Sequence, residues 1–266
     1  RVNLSFILLI FAIVGVLKEK LPGKKYWLWF AAAFPFIAAW LLLGGLGLQP
    51  VDTSKLGGIL LTIIIGVTGI SFSLPIGIVL ALGRRSNMPA LKTVCVLFIE
   101  FIRGVPLITL LFVASTMLTY FLPPGSTFDL LMRVLIMVTL FSSAYIAEVV
   151  RGGLQGLPSG QYEAADSLGL TYWKAHRLII LPQALKISIP GIVNTFIGLF
   201  KDTTLVLIIG MMDIVGLGRA RLNDPYWLGL AGELYLFIAI FFFICCFSMS
   251  RYSINLENKL STGRRD

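Results

Sequence analysis

The chain has 266 residues, 57% of them hydrophobic and only 13% charged, with a mean hydropathy of +0.90 and a formal net charge of +9. Soluble domains carry about 25% charged residues, so too little charge is present to cover a water-facing surface. A soluble enzyme and a nucleic-acid binder are excluded, the latter because its cations would cluster on a soluble face.

Apolar runs approaching the roughly 20 residues that cross a bilayer recur along the chain. None alternates as barrel strands do, so the fold class is all-α integral membrane. Helical spans are predicted over 4–17, 26–46, 58–82, 93–121, 129–150, 187–210 and 232–250. No small-residue cleavage site follows the first run, which therefore reads as a retained span; Arg1, in place of a starting Met, implies residues upstream. The first two spans form an N-terminal transmembrane hairpin around "KEKLPGKK", and Gly and Pro in "LGLQPVDTSKLGG" break helix after it. The division is 1–56 as hairpin and linker, 57–250 as a five-helix core, and 251–266 as a cytoplasmic C-terminal tail.

Span 93–121 would be about 43 Å long at about 1.5 Å per residue, more than a hydrocarbon core of about 30 Å. It should tilt or protrude, with a kink at Pro106. Segments 18–25, 83–92, 151–186 and 251–266 hold most of the 22 Lys and Arg, which places them on the cytoplasmic side. Cys95, Cys245 and Cys246 fall in apolar spans without metal-ligand or disulfide spacing, and read as lipid-facing or packing residues.

The connection 152–185 is long for a loop between membrane helices and carries its own punctuation. Ser159 is placed to cap a helix over about 160–168, Gly169 to end it in a left-handed turn, and Thr171 to cap a second helix running to about Leu181, with Pro182 near its end. Leu168, Leu170, Trp173, Leu178 and Ile179 are available to dock, either under the chain's own bundle or on a partner. His176 reads as a surface residue of the second helix.

Several charges lie inside spans, where each costs about 2.5–3.5 kcal/mol at mid-bilayer on insertion scales. Glu100 and Arg103, near the middle of their span, and Glu148 and Arg151 are each three residues apart, so each pair shares a helix face and can neutralise itself. Such pairs lock helices together or line a path. Adjacent Lys201 and Asp202 point in different directions. With Thr203, Thr204, Ser142 and Ser143 they make a candidate polar lining in which a cation meets a carboxylate and Asp202 an ammonium group.

The loop reads E-A-A, three residues, G, nine residues, I-x-L-P, carried by Glu163, Ala164, Ala165, Gly169, Ile179, Leu181 and Pro182. This resembles the EAA motif of permease subunits of bacterial ABC importers. "EFIRGVPLITLLF" (100–112), "AYIAEVVRGGLQGLP" (144–158) and "LFKDTTLVLIIG" (199–210) extend the resemblance to the polar and general L-amino acid branch. The resemblance implies a type I ABC importer permease fold in a bacterial inner membrane, contacting lipid. It implies that loop 152–185 couples to a cytoplasmic ABC ATPase dimer, with Glu163 offering a charge to that partner or to Arg177, and Tyr172 and Trp173 supplying aromatic contact area. It also implies a second permease subunit, a paralogue, and an extracytoplasmic amino acid binding protein docking on outward loops such as 211–231. The chain has no G-x-x-x-x-G-K-[ST] phosphate loop, so ATP and Mg would sit on the ATPase and no cofactor in this chain. An ion-coupled secondary transporter, which often shows repeats with broken helices, leaves the loop unexplained. An intramembrane enzyme would have one His and neither H-E-x-x-H nor G-x-S-x-G to work with.

Overall fold

In a computed structural model the chain divides into two compact units, 1–55 and 56–266, and the structure describes Thr53 and residues 56–121 and 128–261. The expected N-terminal hairpin lies outside the described residues. Within them every regular element is helical, and four helices are long and apolar enough to cross a membrane, or five if one bent pair counts as a single span.

Helix α1 (Gly58–Arg84) turns a stripe of small residues, Gly66, Gly69, Ser73, Gly77 and Ala81, into the interior. There it meets the central helix, Leu130–Gln155. A Cβ on Gly77 would lie 2.5 Å from Ile146 Cγ2 and 3.0 Å from the Ser143 carbonyl. Lipid offers no hydrophobic drive for helix association, so close van der Waals approach through small residues has to hold such pairs.

Helix α2 (Pro89–Gly104) is followed by α3 (Leu107–Phe112), a π-helical turn (Val113–Met117) and α4 (Leu118–Phe121). The predicted single span over 93–121 is therefore two pieces, which meet at 101°. The cause is local. Val105, before a proline, is driven to the extended region (φ −109°, ψ 132°), and Pro106 restarts the helix as the N-cap of α3. The result is a break, not a kink. Carbonyls loosened by the π turn are met by Arg133, whose Nη1 donates to the Ala114 and Ser115 carbonyls at 3.1 and 2.9 Å.

Helix α5 (Leu130–Gln155) is capped by Asp129, which accepts from the Leu131 and Met132 amides. Half of its apolar window is buried within the chain, against 6% for the last helix, so α5 is the core and the last helix the periphery. Two short helices follow, α6 (Ser159–Ser167) and α7 (Tyr172–Ala175). A π turn (His176–Ile180) then joins α7 to α8 (Leu181–Asp202), which tightens into a 3₁₀ segment (Thr203–Ile209). The second loop helix was expected to stop near Leu181 and Pro182, and the membrane span to begin at 187. Instead Tyr172–Ile209 is one apolar rod of 38 residues. Pro182 sits in the first turn of α8, just after the widened π turn, where its ring and missing N–H are tolerated.

Buried Asp213 caps α9 (Ile214–Arg221), accepting from the Gly216 and Val215 amides at 2.8 and 3.3 Å. The Gly58 amide donates to the Met212 carbonyl at 2.7 Å, tying the start of α1 to the same corner. After a 3₁₀ turn (Pro225–Trp227), α10 (Ala231–Ser261) runs without a break through residue 250, where a separate tail was expected to begin.

Candidate functional site: a helix–glycine–helix hairpin, a charge cluster and a small cavity

The hairpin forms where the punctuation placed it, with altered caps. Pro158, not Ser159, occupies the N-cap of α6. Thr171 sits at the N-cap of α7 without a side-chain hydrogen bond. Gly169 has φ +65°, and a Cβ there would meet nothing within 4 Å. Backbone conformation, not space, therefore selects glycine. The turn closes through the Gly169 amide donating to the Asp166 carbonyl (2.9 Å) and the Leu170 amide to that of Ala165 (3.2 Å).

The motif residues divide by face. Glu163, Ala164, Gly169 and Pro182 are exposed, as are Leu168 (72%), Tyr172 (49%), Trp173 (72%) and Leu178 (65%). Ala165 is buried, while Ile179 and Leu181 pack against the core around Val150, Leu154 and Ile180. Three of the seven motif residues thus face their own bundle. Among the described residues Glu163 makes no ion pair with Arg177.

Two anchors of the hairpin carry no local sequence signal. The Tyr162 hydroxyl donates to the Leu154 carbonyl (3.0 Å) and accepts from Arg85 Nη1 (3.1 Å), whose guanidinium also lies 5.5 Å from the ring centre. Gln183 donates to Gln161 at 2.8 Å. A cavity of about 290 Å³ lies behind this contact, lined by Arg85, Tyr162, Asp166, Tyr172 and His176. His176 is partly buried there, with Nδ1 donating to the Tyr172 carbonyl (2.9 Å) and its ring 3.9 Å from that of Tyr172.

The embedded charges pair differently from their spacing. Glu100 and Arg103 do not bond to each other. Glu100 binds Arg84 (2.8 Å), and Arg103 approaches Glu148 (3.6 Å). Glu148 is the hub, 14% exposed, and also holds Arg84 (2.8 Å) and Arg151 (2.9 Å). The expected Glu148–Arg151 pair is present and forked, with Nε donating to both carboxylate oxygens. Arg84, in the last turn of α1, was not foreseen. It joins α1, α2 and α5 at the end of the bundle where α5 leads into the hairpin, away from mid-span. Three guanidiniums surround two carboxylates, so the cluster keeps an excess positive charge.

The candidate polar lining also divides. Ser143 and Thr203 are buried and donate to carbonyls of their own helices, Thr139 (2.6 Å) and Phe200 (2.7 Å). Thr204 donates to the Lys201 carbonyl (2.9 Å). Lys201 is exposed and acts electrostatically on Cys246 of α10 as well as on Asp202. Ser142 and Asp202, by contrast, line one cavity of about 250 Å³ with Phe141, Tyr145, Thr195 and Gly198.

Residues 73–262 match the family described as "Binding-protein-dependent transport system inner membrane component". The chain belongs to that family. This inner membrane component is 59% identical over 238 residues to the "Glutamate/glutamine/aspartate/asparagine transport system permease protein BztC" of Rhodobacter capsulatus, covering 89% of the chain but 55% of that protein. It is 52% identical to the "Inner membrane amino-acid ABC transporter permease protein YhdY" of Escherichia coli over 99% of the chain and 72% of that protein. The chain thus spans about half the length of the first relative and nearly three-quarters of the second. Its fold matches a solved structure described as "Crystal structure of an amino acid ABC transporter with histidines", with a TM-score of 0.66 and 30% identity over 76% of this chain and 92% of that one. A more distant match to the MetNI methionine ABC transporter, at 20% identity and a TM-score of 0.56, shares the fold. The type I importer permease fold implied by the sequence is the fold observed.

Proposed function

We propose that this chain is the membrane-spanning permease subunit of an ATP-driven importer of polar L-amino acids, acidic and neutral ones favoured. The observation that carries it is the anchored helix–glycine–helix hairpin, which presents Leu168, Trp173 and Leu178 outward from a chain with no phosphate-binding loop of its own. Large exposed apolar side chains on a short, well-anchored element suit contact with another protein. The printed names of the two relatives support amino acids as the cargo. In this proposal the hairpin faces the cytoplasm and seats on an ABC ATPase dimer that binds ATP and Mg. A second, paralogous permease subunit completes the path, and an extracytoplasmic binding protein delivers substrate. The chain itself performs no chemistry.

The test is to purify the complex from its native membrane, identify every associated chain, and reconstitute it in liposomes. Uptake of glutamate, glutamine, aspartate or asparagine that requires ATP supports the proposal. Uptake driven by an ion gradient without ATP refutes it in favour of a secondary transporter.

A further inference from the structure

Arg85, directly after α1, meets the hairpin through a single bond, from Nη1 to the Tyr162 hydroxyl at 3.1 Å. A guanidinium carries five N–H donors, so most of its fork is left for another partner. Among the described residues Arg85 makes no ion pair, and neither does Asp166 of α6. Yet both line the cavity of about 290 Å³ behind the hairpin. Two opposite charges thus border one small space without closing on each other.

The rest of the lining narrows what fits. His176 donates from Nδ1 to the Tyr172 carbonyl (2.9 Å), so its neutral ring keeps Nε2 as an acceptor. The Tyr172 and Tyr162 rings lie 3.9 and 6.4 Å from the His176 ring and line the same space, giving a wall whose faces attract a cation. Buried Ala165, Ala175 and Ile180 close the back. A metal ion is poorly served, since no group of three His, Cys, Asp or Glu side chains comes together among the described residues. Phosphate would meet Arg85 but also face the Asp166 carboxylate and the His176 acceptor, and a simple cation would face Arg85. A small zwitterion satisfies both ends.

We propose that this cavity is a regulatory site for a free amino acid arriving from the hairpin's side of the membrane. Arg85 receives the carboxylate, Asp166 and His176 Nε2 receive the ammonium group, and the Tyr172 ring flanks it. The volume, about 290 Å³, falls just below the roughly 300–1,000 Å³ of pockets for drug-sized ligands and suits an amino acid. The choice of amino acids among small zwitterions rests on the chain being an amino acid permease. The occupant bridges the end of α1 to α6, across the joint between bundle and hairpin. A ligand stabilises the arrangement it binds against every other, so a hairpin that must move to transmit work is held in place. The delivered amino acid thereby restrains its own import.

His176 is the one histidine of the chain, which makes it a built-in probe. The complete transporter is reconstituted with its ATPase facing outward and its binding protein enclosed. His176 is then modified with diethyl pyrocarbonate from outside, and the reaction is read on this chain by mass spectrometry. Glutamate, glutamine, aspartate and asparagine should each slow the modification. Glutarate, which lacks the ammonium group, and inorganic phosphate should need roughly ten- to hundredfold more for equal protection, as expected for a lost charged hydrogen bond. Asp166→Asn should shift protection by the amino acids to the same extent. In separate liposomes, transport-stimulated ATP hydrolysis should fall by about half where half of His176 is protected, because occupancy and restraint are one event. No protection by any of the four, protection as good by glutarate or phosphate, or wild-type protection in an assembled Asp166→Asn complex overturns the site. If Asp166→Asn does not assemble, the comparison with glutarate on the wild type decides. Unchanged hydrolysis under protecting conditions overturns the restraint. Uptake in the same liposomes tests the permease reading separately, because protection of His176 needs no transport.

Discussion

Replacing Glu148 by Gln removes the carboxylate that three guanidiniums share while keeping its shape. Arg151 reaches Glu148 as a fork at 2.9–3.2 Å, Arg84 reaches it at 2.8 Å, and the three side chains are 14–29% exposed. Such contacts lie between exposed pairs, worth about 0.2–1 kcal/mol, and buried pairs, whose disruption costs about 3–5 kcal/mol. Taking about 1 kcal/mol for each of these two, and discounting Arg103 as longer and 35% exposed, the expected loss is about 2 kcal/mol. Glu100, 53% exposed with one partner, should cost about 0.5 kcal/mol or less on replacement by Gln. Thermal unfolding of the purified protein in detergent, followed by tryptophan fluorescence, ranks the two variants. Double-mutant cycles then separate the pairs: Glu148 with Arg151 should couple by about 1 kcal/mol, and Glu100 with Arg103 should not couple measurably. A Glu100→Gln loss as large as that of Glu148→Gln, or stronger coupling between Glu100 and Arg103, would refute Glu148 as the hub.

Gly153→Val should lower the folded yield and unfolding midpoint, by about 1–3 kcal/mol of overpacking, because its Cβ would lie 2.5 Å from the Ala184 carbonyl and collide with Ser188 Oγ. Gly152→Ala, with nothing within 4 Å, should not. Gly169→Val should leave the chain inserted but reduce uptake and transport-stimulated ATP hydrolysis together, since φ +65° disfavours a β-branched residue; normal stimulation would argue against the hairpin as the coupling element. Burial pushes the Asp213 carboxyl above its ordinary value, and hydrogen bonds from the Gly216, Val215 and Asp213 amides only partly oppose this. A raised folded pKa means stability that is present below the unfolded carboxylate range and lost as pH rises through the folded value. Unfolding midpoints measured from acid to neutral pH should therefore fall more steeply for wild type than for Asp213→Asn, and parallel curves would contradict this.

The sequence by itself determined what depends on composition and nearest neighbours. Low charge and long apolar runs require a helical membrane protein, because an unpaired backbone in lipid leaves no alternative to helix or closed barrel. Gly169 marked its own left-handed turn, and Glu148 and Arg151, one helical turn apart, marked their own pair. Tertiary structure decided whatever depends on which helices meet. Glu100 and Arg103 satisfy the same spacing rule, yet Arg84 on a different helix offers Glu100 a direct contact at 2.8 Å, and direct contact outweighs sequence proximity. The angle at Val105–Pro106 was underestimated because a proline can kink a helix or end it, and packing chooses between them. Likewise, four of the six hydroxyl and charged residues grouped as a polar lining lie outside the cavity. Helix periodicity places residues on faces, but only the packing of α5 against α8 brought Ser142 and Asp202, 60 positions apart in the chain, to the same space.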